Sequence, residues 1–308
     1  MVEIGIMIEG QNGLNWDRWQ RIARTVEEAG YSSLFRSDHF TNSKPPDIDS
    51  LELWVSLTWL AENSNKLEFG SLVTPMSFRH PVHTARMAAA VDDLSGGRMS
   101  LGLGAGWQER EHDNFGFDLS HPSKRFDRFE EGVHIISRLL HNDEPVDFNG
   151  KFFQLNSAIL LPRPIRTGGP PIIIGGNGEK RTLAVAARYA DEWNALFIPL
   201  EEFSRLNDLL DNILGTYGRD PSEVRRSIMT GCIFGNTVQE VKEKVLKRTK
   251  GQFDPAELQK RGFIVGTAEE LLEQLEMLGE AGVQRVMLQW LDLEDFEGLF
   301  ALAEGIMK

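Results

Sequence analysis

Apolar positions along this chain recur in short runs separated by longer amphipathic stretches, and the runs have the length of strands. Eight can be counted, at 3–8, 31–36, 67–73, 99–103, 171–174, 192–196, 227–234 and 285–289. Between them lie stretches with helical spacing of apolar residues, among them 16–29, 51–62, 82–94, 179–189, 238–249 and 268–280. The first of these is followed by Gly30, a residue that readily takes the left-handed backbone closing a helix. Strand alternating with helix predicts a parallel sheet with crossover helices, and eight such units predict an α/β fold closed as a (β/α)8 TIM barrel. A doubly wound open sheet is the competing arrangement, and no fixed-length repeat separates the two.

Two intervals break the rhythm. Between the fourth run and the fifth the chain is far longer than the roughly 30 residues of a βαβ unit. Residues 106–170 therefore read as an insertion after strand 4, loop decoration over the barrel mouth without enough apolar sequence for a core of its own, so that 1–308 forms a single barrel domain. Inside it, Asn149-Gly150 sits between alternating apolar residues, the pattern of a hairpin. Pro162, Pro164, Gly168, Gly169, Pro170 and Pro171 then form a stiff connector into the fifth strand. A second insertion, 251–262, precedes the last αβ unit, and its Asp254-Pro255 is a helix start with proline at the first position.

Composition narrows the class. With 308 residues, 41% of them hydrophobic, the chain can bury a sizeable core. No apolar run approaches the roughly 20 residues of a membrane span, and Met1-Val2-Glu3-Ile4 enters the first strand without the basic start of a signal peptide, so a cytoplasmic protein is expected. A net charge of -13 disfavours nucleic acid or an anionic membrane as partner, because phosphate contacts need a basic face. A small-molecule substrate, phosphorylated or not, needs only a local site. The single cysteine, Cys232, beside Ile233 and Phe234, reads as a buried strand thiol rather than a nucleophile.

The candidate chemistry gathers at strand ends. Ser37-Asp38-His39-Phe40 puts a carboxylate beside an imidazole where the second strand runs out, the end of a barrel strand that carries catalysis. Alone, such a pair fits a hydrogen-bonded structural histidine as well. Gly175-Gly176-Asn177-Gly178 follows the fifth strand and precedes a helix opening near Lys180 and Arg181. Bare backbone and free helix amides there suit a phosphate, although a tight strand-to-helix turn would use the same glycines. Gly102, Gly104 and Gly106 with Trp107 close the fourth strand, either as backbone lining a flat ring system or as a plain turn. Gly70, Ser71, Thr74 and Pro75 end the third, and Arg79-His80-Pro81 reads chiefly as a helix cap. The seven histidines form no spaced ligand set, so no catalytic metal is expected, and no Gly-x-Ser-x-Gly elbow marks a serine hydrolase.

In this order, the Ser37-to-Phe40 tetrapeptide, the stretches 70–75, 94–99 and 101–107, Ile174 to Gly178, and 188–194 resemble the luciferase-like monooxygenase superfamily. Within it the chain is most similar to the branch of oxidoreductases that use the deazaflavin coenzyme F420. The resemblance implies a (β/α)8 barrel, usually a homodimer, that binds a flavin or deazaflavin across the C-terminal ends of its strands. It implies that His39 lies by the reactive face of the ring as acid or base, with Asp38 beside it tuning its charge. Ser71-Leu72 matches the place where relatives carry a bulge with a non-prolyl cis peptide against the ring, with Thr74 close by. Gly104, Gly106 and Trp107 would flank the ring, and Gly175, Gly176, Asn177 and Gly178 match the loop that holds the coenzyme phosphate. Where some F420-dependent sugar-phosphate dehydrogenases carry a glutamate, this chain has Trp107, so their carboxylate acid does not transfer; Glu9, at the end of strand one, is the substitute or else a structural carboxylate. The expected activity is hydride transfer between F420 and a small organic substrate. The alternatives are an FMN-dependent monooxygenase and a non-catalytic flavin-binding protein.

Overall fold

The computed structural model describes residues 2–307. β1 (Glu3–Ile8), β2 (Ser33–Arg36), β3 (Glu68–Pro75) and β4 (Met99–Gly104) alternate with α1 (Trp16–Glu28), α2 (Leu53–Asn63) and α3 (Pro81–Leu94). After β4 come α4 (Glu109–Phe115), α5 (Pro122–His141) and a hairpin of β5 (Val146–Asn149) and β6 (Gln154–Ala158). The second half runs β7 (Ile172–Gly175), α6 (Thr182–Tyr189), β8 (Glu192–Leu196), α7 (Leu200–Thr216), β9 (Arg225–Phe234), α8 (Val238–Thr249) and α9 (Pro255–Gln259). It closes with β10 (Ile264–Gly266), α10 (Ala268–Glu280), β11 (Arg285–Trp290) and α11 (Phe296–Ile306).

Eight of these strands, β1, β2, β3, β4, β7, β8, β9 and β11, lie side by side in parallel. Pairing of β8 with β9 and of β11 with β1 closes them into the (β/α)8 barrel, which rules out the open sheet. The short β10 adds to the far end of β9, where Ile264 stands opposite Cys232.

Closure explains the strand composition. Met7, Phe35, Leu72, Ile173, Met229 and Met287 point into the lumen as one buried cluster, with Val73 and Leu196 against it. Their strand neighbours, such as Ile6, Ile8, Leu34, Phe69 and Leu101, pack outward under the helices. Both faces are therefore apolar, as in other parallel sheets covered by helices. β4 fills its share of the lumen with backbone: a Cβ on Gly102 would stand 2.0 Å from the Ser71 carbonyl oxygen. At the N-terminal end the buried Arg285 guanidinium lies 5.7 Å from the Phe35 ring centroid and pairs with Glu68, with Glu3 and Glu192 each at 3.5 Å, so that end is stoppered by paired charge.

The long interval after β4 differs from the reading of 106–170 as decoration. α5 packs against both α3 and α6, in the place of the fourth crossover helix. Its buried Phe129, Val133, Ile136 and Leu140 recur at helical spacing behind Pro122 at the first position. The additions are α4 and the hairpin. That hairpin turns through 150–153 rather than through Asn149-Gly150 alone: the Gly150 N–H donates to the Phe153 carbonyl at 2.9 Å. Glu131 of α5 accepts from the N–H groups of Lys151 and Phe152 at 2.8 and 2.9 Å, which holds the wider turn. α9 begins as the sequence predicts, with Asp254 capping and Pro255 next.

Replacing Gly102 by alanine forces β3 and β4 apart at Ser71. We expect Gly102→Ala to cost about 1–3 kcal/mol in urea or thermal unfolding, the range of an overpacked core; wild-type stability would show that the two strands can separate locally at no cost.

Candidate active site

The C-terminal strand ends enclose a cavity of about 390 Å³. Met7, Leu72, Val73, Leu196 and Met229 give it an apolar floor, and Glu9, His39, Glu111, Trp107 and Phe197 stand around it. Gly106, with φ +88°, lets the chain after β4 turn over the edge, and Trp107, 63% exposed, lies edge-on to the His39 ring at 5.6 Å.

His39 is fixed from one side. Its Nδ1–H donates to Glu111 Oε1 at 2.8 Å, while Glu111 Oε2 accepts the Phe40 N–H at 3.0 Å. Glu111 comes from α4 and is 1% exposed, so the carboxylate is a rigid, dry partner. No residue among those described bonds Nε2, which leaves that nitrogen to whatever fills the cavity. Burial acts to lower the ring's proton affinity, but the hydrogen bond and charge of Glu111, then the charges of Glu9 and Asp38, more than reverse it and hold His39 above the ordinary imidazole range.

Asp38 is differently employed. It does not line the cavity; it is buried, accepting from the Thr74 hydroxyl and from both terminal nitrogens of Arg79. Burial raises its carboxyl, and Arg79 and Thr74 oppose the rise. The carboxylate that sets the charge of His39 is therefore chiefly Glu111, in place of the Asp38 that the resemblance implies, because Asp38 is committed to tying β2 to β3. Glu9 does border the cavity, accepting from the side-chain amides of Gln289 at 2.7 Å and Gln11 at 2.9 Å.

The non-prolyl cis peptide lies at Leu72-Val73, one bond beyond Ser71-Leu72. Register with β4 shifts between Ser71 and Thr74, which marks the bulge. Leu72 and Val73 face the cavity, whereas the Ser71 hydroxyl is spent across the sheet, donating to the Gly102 carbonyl at 2.9 Å. Gly104 lies behind this bulge: a Cβ there would come 2.5 Å from a Val73 methyl.

The loop after β7 stands beside the cavity without lining it. Asn177 pairs with the Leu196 backbone through both amide atoms, at 2.7 and 2.9 Å, and so braces the loop on β8. Gly176 needs its φ of +128°, its N–H donates to the Asn194 carbonyl, and the Gly178 carbonyl accepts the Leu183 N–H. Gly175 backs onto Val73. Arg181 is paired with Asp127 and Glu130 of α5 and adds no free charge.

A luciferase-like monooxygenase family profile matches residues 2–285. The chain belongs to the luciferase-like monooxygenase family. Among relatives of this luciferase-like protein, an F420-dependent hydroxymycolic acid dehydrogenase of Mycobacterium tuberculosis is 27% identical over 83% of this chain and 71% of its own length. A phthiodiolone/phenolphthiodiolone dimycocerosates ketoreductase of Mycobacterium sp. (strain JLS) is 34% identical over 64% of this chain. A 4-hydroxyprotoasukamycin monooxygenase of Streptomyces nodosus subsp. asukaensis is 29% identical, also over 64%. The chain spans about half the length of these last two, 52% in each case. An F420-dependent secondary alcohol dehydrogenase solved with an F420-acetone adduct superposes with a TM-score of 0.86 at 19% identity, covering 99% of this chain and 98% of its own, and so shares the fold.

Glu111→Gln removes the charge that holds His39 up. The His39 ring, followed by NMR, should titrate at lower pH in the variant than in the wild type. Since the folded value exceeds the unfolded one, the pair stabilises the fold fully below about pH 6.5 and progressively less as pH rises through the folded value. The thermal midpoint of the variant should therefore fall most at acid pH; an unmoved His39 titration would mean that Glu111 does not set its charge.

Proposed function

We propose that this luciferase-like protein transfers a hydride between coenzyme F420 and a small organic substrate, with His39 carrying the accompanying proton. The observation that carries the reading is His39 itself: Nδ1 is fixed by a buried carboxylate and Nε2 is free in an apolar-floored cavity at the catalytic end of a barrel. The cavity suits a flat ring. Gly104 and Gly175 lie so close behind Val73 that a Cβ, at 2.5 and 3.0 Å from its methyls, would drive Val73 into the space. Leu72 and Val73 would support one face of the coenzyme, and the loop from Gly175 through Gly176 and Asn177 to Gly178 would lie toward its phosphate.

A bound deazaflavin supplies a ring carbon that gives or accepts the hydride, and its reduced form is a poor donor to oxygen. The protein supplies position, dryness and a proton. Protonated His39 would donate from Nε2 to a substrate oxygen, or neutral His39 would accept from it, while Glu111 keeps the ring oriented and stabilises the charge. The apolar floor excludes water from the reacting centre. Dehydrogenase and ketoreductase relatives favour this reading. The monooxygenase relative supports a second one, oxygenation in the same cavity, for which FMN is the coenzyme to compare.

Parallel binding titrations with F420 and FMN separate the two: micromolar binding of F420 with little of FMN is expected, and binding of FMN alone would overturn the coenzyme assignment. In the same protein, His39→Ala should lose roughly 100-fold or more in turnover while keeping its coenzyme affinity. Unchanged turnover would remove His39 from the reaction, and failure of the wild type with every donor tested would favour a flavin-binding protein without catalysis.

A further inference from the structure

A second cavity, about 400 Å³, opens at the C-terminal ends of β9 and β11, the seventh and eighth strands of the barrel. It is walled by Lys244, Lys247 and Arg248 of α8, by Trp290 at the end of β11, and by Asp292 and Asp295 from the turn into α11. Lys247 and Arg248 follow Lys244 by three and four residues, so each lies on the same face of α8 as Lys244.

Their charges are not all answered. Lys244 lies 2.8 Å from Glu240 and 3.8 Å from Asp295. Asp292, at the exposed rim, uses one carboxylate oxygen to accept the Glu294 N–H at 3.3 Å. Arg248 donates to the Cys232 carbonyl and to the Gln289 side-chain oxygen, each at 2.9 Å, and lies 5.5 Å from the Phe263 ring centroid. These partners are neutral, and neither Arg248 nor Lys247 meets a carboxylate among the described residues. Burial pulls Arg248 below the usual guanidinium range, and the charge of Glu9, one residue away through Gln289, only partly offsets it. Trp290, 5% exposed, keeps an indole N–H with no acceptor among the described residues. Three cations thus face two carboxylates around a space the size of a small ligand, at strand ends where barrel enzymes frequently hold anions.

We propose that this pocket is an anion site that takes the carboxylate or phosphate of a small molecule, with Arg248 and Lys247 as its counter-charges. A single partition separates it from the cavity at His39: Gln289 accepts from Arg248 and donates to Glu9, which borders that cavity. The anion is either an acidic arm of the molecule that occupies the His39 cavity or a separate ion. The site does not depend on which coenzyme the protein uses.

Calorimetric titration of the purified chain with inorganic phosphate and with succinate, in a buffer free of other anions, tests this. Saturable binding is expected, weakened roughly tenfold or more in Arg248→Met and several-fold in Lys247→Met. Lys247 is exposed, so its variant decides the matter if Arg248→Met does not fold. Absence of saturable binding by the wild type overturns the proposal, as does binding to Lys247→Met with wild-type affinity, which would place the anion elsewhere. Repeating the phosphate titration with F420 or FMN at saturation separates the two sources: competition assigns the pocket to an acidic arm of the coenzyme, and undiminished binding assigns it to a substrate or a separate ion.

Discussion

The lumen of an eight-stranded barrel has just enough room for side chains, and in this protein that constraint decides where chemistry can occur. Met7, Phe35, Ile173 and Met287 fill the interior. Arg285 stoppers one end, where Glu3, Glu68 and Glu192 answer its charge. The other end is left for function. There β3 bulges, and loops bring in the charged groups around His39.

Around His39 those loops divide the work between two carboxylates. Asp38 is drawn down into a buried knot with Thr74 and Arg79, which fixes the end of β2 against β3. Glu111 arrives from a short helix outside the eight repeating units and meets the imidazole directly. The first sets the backbone from which His39 projects, and the second sets the charge and the free nitrogen of the ring. In the proposed reaction a histidine so placed serves as the acid–base group, its proton affinity raised chiefly by Glu111.

The sequence carried the barrel well. β1, β8, α8 and α10 begin and end where their apolar patterns do, because each packs one continuous stripe or strand against a covered sheet. The fourth crossover helix was hidden in an interval that proline, glycine and a hairpin made look irregular, although Phe129, Val133, Ile136 and Leu140 kept its period. His39, Glu9, Leu72, Gly106 and Trp107 were legible as residues bordering the cavity, since strand ends and glycine clusters announce the mouth of a barrel. Glu111 was not. Nothing in local spacing links it to a histidine 72 positions earlier, and only the path of α4 brings them together. Arg79 was masked for a similar reason, as its neighbours His80 and Pro81 cap α3 and explain the segment without it. Ser71 and Asn177 show the reverse: polar residues at strand ends whose hydrogen bonds are spent on the sheet itself.

The most direct test of the central claim, that the cavity beside His39 is the reaction site, is a crystal structure of the protein with its coenzyme bound. The ring should lie on Leu72 and Val73 with His39 Nε2 facing the substrate side and Nδ1 still on Glu111. A ring bound outside this cavity, or a His39 whose Nε2 turns away to a protein partner, would contradict it.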